Sequence, residues 1–439
     1  MGGGFSPLDE ELGLLPQGVL TPSLTESAVR VGTWIPFGAA AELVAHFVHT
    51  QVSESTLTRM TERAGAAYEA VQEAQRVQGE PGPEEPGPAI QQVSVDGAFV
   101  PLVHKGWVEA KTLTIGTVQP PIHRPDGTVE IHTTHLSYFS RAVDCHTFTA
   151  QATREIVRRG TLRAGRVCGV VDGAVWEQEF LDVQCPDAVR ILDWPHAVGY
   201  LATAAQALYG VDSQAAQTWL AAQRETLLQG NPQTVLDRLG GLREDVALQA
   251  GAGPPPPTLA VLDEALLYLS KRLAQIQYAA FRAQGYPIGS GAVESANKLV
   301  VEARLKGAGM HWELGHVNPL LALRGMACSD RWAEAWPQIT RQWRAEARTQ
   351  VVRRRQARHA ARQAAADQRA APPRTLEAVG GGAVVPASAP PPAALPPPPV
   401  GSQRSTPPHP ATPRRPAATH PWRQAFSLRR LRPPAQPGI

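Results

Sequence analysis

An α/β fold with a mixed sheet is predicted for this chain by three observations. Two apolar runs, Gln91-Gln-Val-Ser-Val and Val167-Cys-Gly-Val-Val, each end in Asp-Gly, at Asp96-Gly97 and Asp172-Gly173. Three strand-like segments in succession precede a helical stretch and then further strands. Beyond residue 195 the apolar spacing changes to the 3.6-residue period of helices, over 201–209, 218–228 and 259–281.

Taken in order, residues 22–76 are helical in pattern. Ala39-Ala-Ala-Glu-Leu-Val-Ala-His-Phe-Val48 carries an apolar stripe, and after a short turn a second helix starts near Ser53 or Ser55, either of which suits an N-cap. Such a helix-turn-helix-like pair can turn Thr56, Thr58, Arg59 and Arg63 toward a DNA major groove, although helix pairs that merely pack together are commoner. Residues 1–78 are therefore expected to form an N-terminal helical domain; binding of DNA ends becomes its candidate role only through the family resemblance that the later motifs carry. Gly79-Glu-Pro-Gly-Pro-Glu-Glu-Pro-Gly-Pro88 marks a linker over 79–89. The catalytic core is expected over 90–200 and 284–340. Its strands are placed at 91–95, around 107–118 and near 130–135, a helix at 147–159, and two more strands ending at Asp172 and Asp193. That is the element order of an RNase H-like sheet. Residues 201–283 form an all-helical insertion within it. Over 341–369, Arg353, Arg354, Arg355 and Arg358 are interleaved with Ala and Gln, which suits an exposed basic helix. The Pro-rich basic tail, 370–439, cannot bury enough apolar surface to offset its ordering entropy and is expected to be disordered.

Net charge is informative only when divided. The whole chain of 439 residues is at +3, but residues 341–439 hold 17 Lys and Arg against 3 Asp and Glu, a balance of +14, and the remainder stands at −11. A basic arm beside an acidic body suits a polyanionic partner. No run of about 20 apolar residues suggests a membrane span, and Met1-Gly-Gly-Gly-Phe5 lacks the pattern of a signal peptide. Cys145, Cys168, Cys185 and Cys328 have no Cys-x-x-Cys spacing and read as reduced thiols of a cytoplasmic protein.

The chemistry is expected from carboxylates. Gly285-Tyr-Pro-Ile-Gly-Ser-Gly-Ala-Val-Glu-Ser-Ala-Asn-Lys298 sets Glu294 in the first turns of a helix. Ser290 is a plausible N-cap there, and Gly289 and Gly291 permit a positive φ. A surface Glu294–Lys298 pair is the plainer alternative. With Asp96 and Asp172, however, Glu294 makes an Asp-Asp-Glu set at one sheet edge. Such a set repels itself unless divalent cations neutralise it, and all-oxygen donors select Mg²⁺ or Mn²⁺. Two such ions can activate water or a 3′-hydroxyl for phosphodiester chemistry. Asp193 also ends an apolar run and is a rival for the second ligand; Asp172 is preferred because its Asp-Gly-Ala context repeats that of Asp96.

Several blocks carry a resemblance. They are Val93-Ser-Val-Asp-Gly-Ala98, Gly106-Trp-Val-Glu-Ala-Lys111, Val171-Asp-Gly-Ala-Val-Trp176, Ile191-Leu-Asp-Trp-Pro-His196, Tyr286-Pro-Ile-Gly-Ser-Gly-Ala-Val-Glu-Ser-Ala-Asn297 and Arg304-Leu-Lys-Gly-Ala-Gly-Met310. In this order and spacing the chain, from about residue 7 to 345, resembles DDE transposases of the bacterial ISKra group of insertion sequences, distant kin of the Mutator-like transposases. The resemblance implies a transposase that cuts and transfers strands at the ends of an insertion sequence, with Asp96, Asp172 and Glu294 as its catalytic and metal-binding triad and two Mg²⁺ or Mn²⁺ ions. Asp193-Trp-Pro-His196 matches the relatives' (Cys/Asp)-x-x-His signature, which makes Asp193 and His196 auxiliary candidates. Here His196 either orients a water or phosphate or is a satisfied helix-start histidine. Double-stranded DNA is the implied partner, with a homo-oligomer on paired ends and a cytoplasmic, nucleoid-associated location. Arg59, Arg63, Lys298, Arg304, Lys306, Arg353, Arg354, Arg355 and Arg358 are the candidate DNA contacts, and His104, Lys105 and Lys111 near the first Asp are further ones. Longer relatives carry cysteine-rich sequence before a Pro-Leu-Asp-Glu segment, which here is Pro7-Leu-Asp-Glu10. A nuclease without strand transfer, or an inactive, truncated DNA-binding remnant, are the alternatives.

Overall fold

A computed structural model of the chain describes residues 20–79, 81–104, 106–125, 128–251 and 253–370. Its centre is a five-stranded mixed sheet in the order β5-β2-β1-β6-β7. β1 (Ile90–Leu102) and β2 (Gly106–Val118) form a long antiparallel hairpin. A two-residue hairpin, β3 (Ile122–His123) with β4 (Val129–Glu130), leads into β5 (Thr133–Arg141), antiparallel to β2. β6 (Arg166–Val171) and β7 (Val189–Leu192) then add in parallel on the other side of β1.

β1 does not stop at Asp96, as the Asp-Gly pair suggested. β2 pairs with it throughout, Asp96 facing Thr112 and Leu102 facing Gly106, so the ladder continues after β6 has ended. Ala98, Val100 and Leu102 are buried on one face, while Phe99 on the other is 55% exposed. Pro101 is tolerated there because its carbonyl accepts from Trp312 on the edge away from β2. N–H and C=O of one antiparallel residue point the same way, so the missing N–H costs no bond to β2.

The N-terminal residues form α1 (Pro22–Trp34), α2 (Phe37–Val48) and α3 (Glu54–Gln78), the last capped by Ser53, whose Oγ accepts from the Thr56 N–H at 3.2 Å. One face of the sheet is covered by α4 (Cys145–Arg158), the crossover between β5 and β6, and α5 (Val175–Gln184), between β6 and β7. Val93, Val95, Leu113 and Val171 pack there on Phe148, Phe180 and Leu181. On the other face, Cys168, Val170 and Ile191 meet a helical block. It comprises α6 (Trp194–Tyr209), α7 (Gln214–Leu228), α8 (Pro232–Ala250), α9 (Pro257–Ser270) and α10 (Tyr278–Ala283). The sequence places a helical segment at 201–283; the helices packed on this face run from Trp194 to Ala283. The same face carries α11 (Gly291–Ala296), a π-helical turn (Asn297–Glu302), α12 (Ala303–Leu305) and α13 (Leu314–Cys328), packed on Ala98, Val100 and Tyr138.

α3 lies against α13. A Cβ at Gly65 would stand 2.1 Å from the Pro319 carbonyl oxygen, so only glycine permits the approach. Tyr68 shares a core with Trp332, Trp336 and Trp343 of α14 (Trp332–Ala370). Glu155 ties the layers together: Arg158 and Arg331 donate to its carboxylate, and Arg331 also donates to the Tyr68 hydroxyl. The four cysteines are unpaired. Among the described residues no helix is long and apolar enough to cross a membrane. Of the tail expected to be disordered, 370–439, Ala370 ends α14 and residues 371–439 lie outside the described residues, as does Lys105.

Candidate metal and catalytic site

The parallel register builds the site. Val93 stands beside Gly169, and three residues on in each chain come Asp96 and Asp172. Val171 stands beside Leu192, so Asp193 follows next to Asp172. Three acids thus begin as neighbours in one row across β1, β6 and β7, and local bonding then separates them.

Asp96 stays in the row. Its Oδ1 accepts from the Gly97 N–H at 2.6 Å and its Oδ2 from the Asn297 amide at 2.8 Å. Asp172 accepts from the Ala174 N–H at 2.9 Å through Oδ1. The third member is Glu177, which the sequence analysis missed: ligand atoms of Asp96, Asp172 and Glu177 all lie within 4.8 Å of one another. Glu177 enters from the first turn of α5, where its Oε2 accepts from the N–H groups of Gly173 (3.0 Å) and Ala174 (3.2 Å). A glutamate in the first helical turn after the second Asp-Gly was the available signal.

The electrostatics are those of crowded acids. Burial, reinforced by the charges of Asp172 and Glu294, raises Asp96 to about 6 against its bonds from Gly97 and Asn297. Burial, then its hydrogen bond with Asp172 and that neighbour's charge, pushes Glu177 up to about 10. Crowded carboxyls of this kind favour bound protons or bound cations. The donor set is all hard oxygen, and Asn297 adds a further one: its Oδ1 is buried and has no hydrogen-bond partner. These residues fit a small divalent cation such as Mg²⁺ or Mn²⁺.

Glu294 lies on the exposed side of α11, close enough to act on Asp96 electrostatically but outside the tight cluster. Its helix is fixed to Asp96 through Asn297, one turn on. Ser290 occupies the N-cap position without a side-chain cap bond, and neither Gly289 nor Gly291 takes a positive φ; Gly285 does, at 82°. The loop needs no left-handed turn there because it is tethered instead. Asp193 accepts from the Ser290 N–H (2.6 Å) and, capping α6, from the His196 N–H (3.1 Å), while the Trp194 N–H donates to the Ile288 carbonyl. Both Asp193 oxygens are thus taken by backbone, and it is Asp172 that joins Asp96. The His196 ring packs on Tyr200 (5.6 Å) and Tyr268 (5.7 Å) beside the cluster.

The candidate DNA contacts divide sharply. Arg304 is a correction: it is 1% exposed, donates to the Gly32 carbonyl and lies over the Phe37 and Trp312 rings, so it is a core strut. Lys111 is buried as well, bonded to Glu109 and the Val143 carbonyl. Lys306 is exposed and paired with Glu302 at 2.9 Å. Lys298, Arg59, Arg63, Arg353, Arg354, Arg355 and Arg358 are exposed. Trp176 and Trp194 pack edge-on against Phe148 and Tyr278.

No protein-family model matches the chain, and no curated protein matches it.

Proposed function

We propose that this protein is a DDE-type transposase that cleaves DNA at the ends of an insertion sequence and transfers the freed strands. The observation that carries the reading is the parallel register that sets Asp96 beside Asp172, with the Glu294 helix docked on Asp96 through Asn297. The strand order β5-β2-β1-β6-β7, with β2 alone reversed, supports an RNase H-like core, in which carboxylates at this edge serve phosphodiester chemistry.

Each residue's part follows from its bonds. Asp96 and Asp172 would be the shared cation ligands, held by the Gly97, Asn297 and Ala174 donors with ligand atoms within 4.8 Å of each other. Glu294 supplies a third carboxylate from a separate helix. Mg²⁺ or Mn²⁺ bound by these carboxylates would supply Lewis acidity for phosphodiester chemistry. Glu177 braces the Asp172 turn by accepting from the Gly173 and Ala174 N–H groups. The exposed arginines of α14 suit phosphates of double-stranded DNA.

The test is Mg²⁺-dependent nicking of the element's own ends, followed by a joining assay with a plasmid target. Asp96→Ala, Asp172→Ala and Glu294→Ala are each expected to abolish cutting and joining while leaving DNA binding largely intact. An Asp96→Ala protein that still cuts and joins would overturn the reading; cutting without joining would reduce it to a nuclease.

A further inference from the structure

The turn that carries Asp172 is gripped from a distance. Its two carbonyls, those of Asp172 and Gly173, accept from the Tyr268 hydroxyl and the Arg272 guanidinium, side chains 96 and 99 residues further along the chain. Arg272 also donates to the Tyr268 carbonyl at 3.0 Å and lies over the Tyr268 ring at 3.8 Å. On its other side that ring stacks with Tyr200, at 4.0 Å between centroids and 16° between planes. The N–H groups of Gly173 and Ala174 are meanwhile taken by Glu177. There is no slack in the arrangement. Gly173 has φ +89°, and a Cβ there would stand 2.5 Å from Arg272 Nε and 2.8 Å from Tyr268 Oη.

We infer that Tyr268 and Arg272, at the end of α9 in the helical insertion, are positioning residues that set the direction of the Asp172 carboxylate and so the cation affinity of the site. The inference rests on the proposed metal site and assigns the insertion a part in it. An Asp on a free two-residue turn can rotate away from Asp96. With both carbonyls and both following N–H groups of the turn held, the carboxylate leaves the backbone in one direction. Partners that orient metal ligands typically change metal affinity about 10- to 100-fold when removed. Loss of a single hydroxyl acting through the backbone belongs at the lower end, about 10-fold.

The experiment is calorimetric titration of Mn²⁺ into the full chain without DNA, which reads the site and not the reaction. Tyr268→Phe keeps the ring and its stack and deletes only the bond to Asp172; it is expected to weaken Mn²⁺ binding about 10-fold. Arg272→Lys, which keeps the charge but not the fork, is expected to fall between Tyr268→Phe and the wild type. Tyr200→Phe, in the same stack, is expected to bind as the wild type does. Wild-type affinity in Tyr268→Phe would overturn the inference, as would a lowered melting temperature with unchanged affinity. Wild-type protein that binds no Mn²⁺, or Asp172→Asn that binds it equally well, would instead remove the metal site itself and this inference with it.

Discussion

Cation binding should be pH-dependent in a range where ordinary aspartates are silent. Asp96 titrates at about 6, chiefly because it is buried beside Asp172. A cation needs it ionised, so protons compete below that value. Glu177 would add its own competition, and Glu177→Gln removes it, leaving Asp96 to be read alone. For one proton at about pH 6, competition weakens binding by about 10-fold between pH 7 and pH 5. An Asp at its ordinary value near 4 would change the affinity by about 1.1-fold over the same range. The two cases are therefore separable by Mn²⁺ titration of Glu177→Gln at pH 7, 6 and 5, followed calorimetrically or by the paramagnetic resonance of free Mn²⁺. A change of less than about 2-fold would refute either the ligand role of Asp96 or the burial that raises it.

Three further outcomes follow from the contacts. Glu177 is raised to about 10, well above its unfolded value, so its own contribution to metal-free stability is full below about pH 4 and is lost as pH rises toward 10; thermal melts in EDTA from pH 5 to 9 should show a shallower decline for Glu177→Gln than for wild type. Burial would raise Glu155, but the two bonded guanidinium groups prevail and hold it at about 2, so its stabilisation is present above about pH 4.5 and lost as pH falls toward 2. Glu155→Gln should cost about 3–5 kcal/mol in urea melts at pH 7 and markedly less at pH 3. Arg304→Ala should lower the melting temperature without changing the salt dependence of DNA binding, whereas Arg354→Ala with Arg355→Ala should leave the melt unchanged and reduce the salt slope by about 2.

Much of the site was legible because it depends on two buried runs. Asp96 and Asp172 each follow a buried run, and parallel pairing of those runs brings them together. Asp193 was ambiguous because the same pattern serves two purposes. Asp193-Trp-Pro-His196 is also a capping sequence, with Asp accepting from the N–H three residues on and Pro at the helix start. Glu177 was missed because its approach depends on how α5 folds back over the Asp172–Gly173 turn. The burial of Arg304 was not readable, since its partner Gly32 is 272 residues away and its aromatic cover comes from Phe37 and Trp312. The length of β1 was hidden by Asp96-Gly97, a turn pair in sequence that here stays within the β1–β2 ladder.

The seating of α3 at Gly65 on Pro319 has a consequence of its own. A helix locked at backbone distance to its neighbour cannot swing, so the exposed Arg59 keeps a constant offset from Asp96 and Asp172. If a duplex is gripped along that helix, the interval between grip and cut is a ruler written into the protein, and inserting base pairs between the two should abolish cutting instead of relocating it.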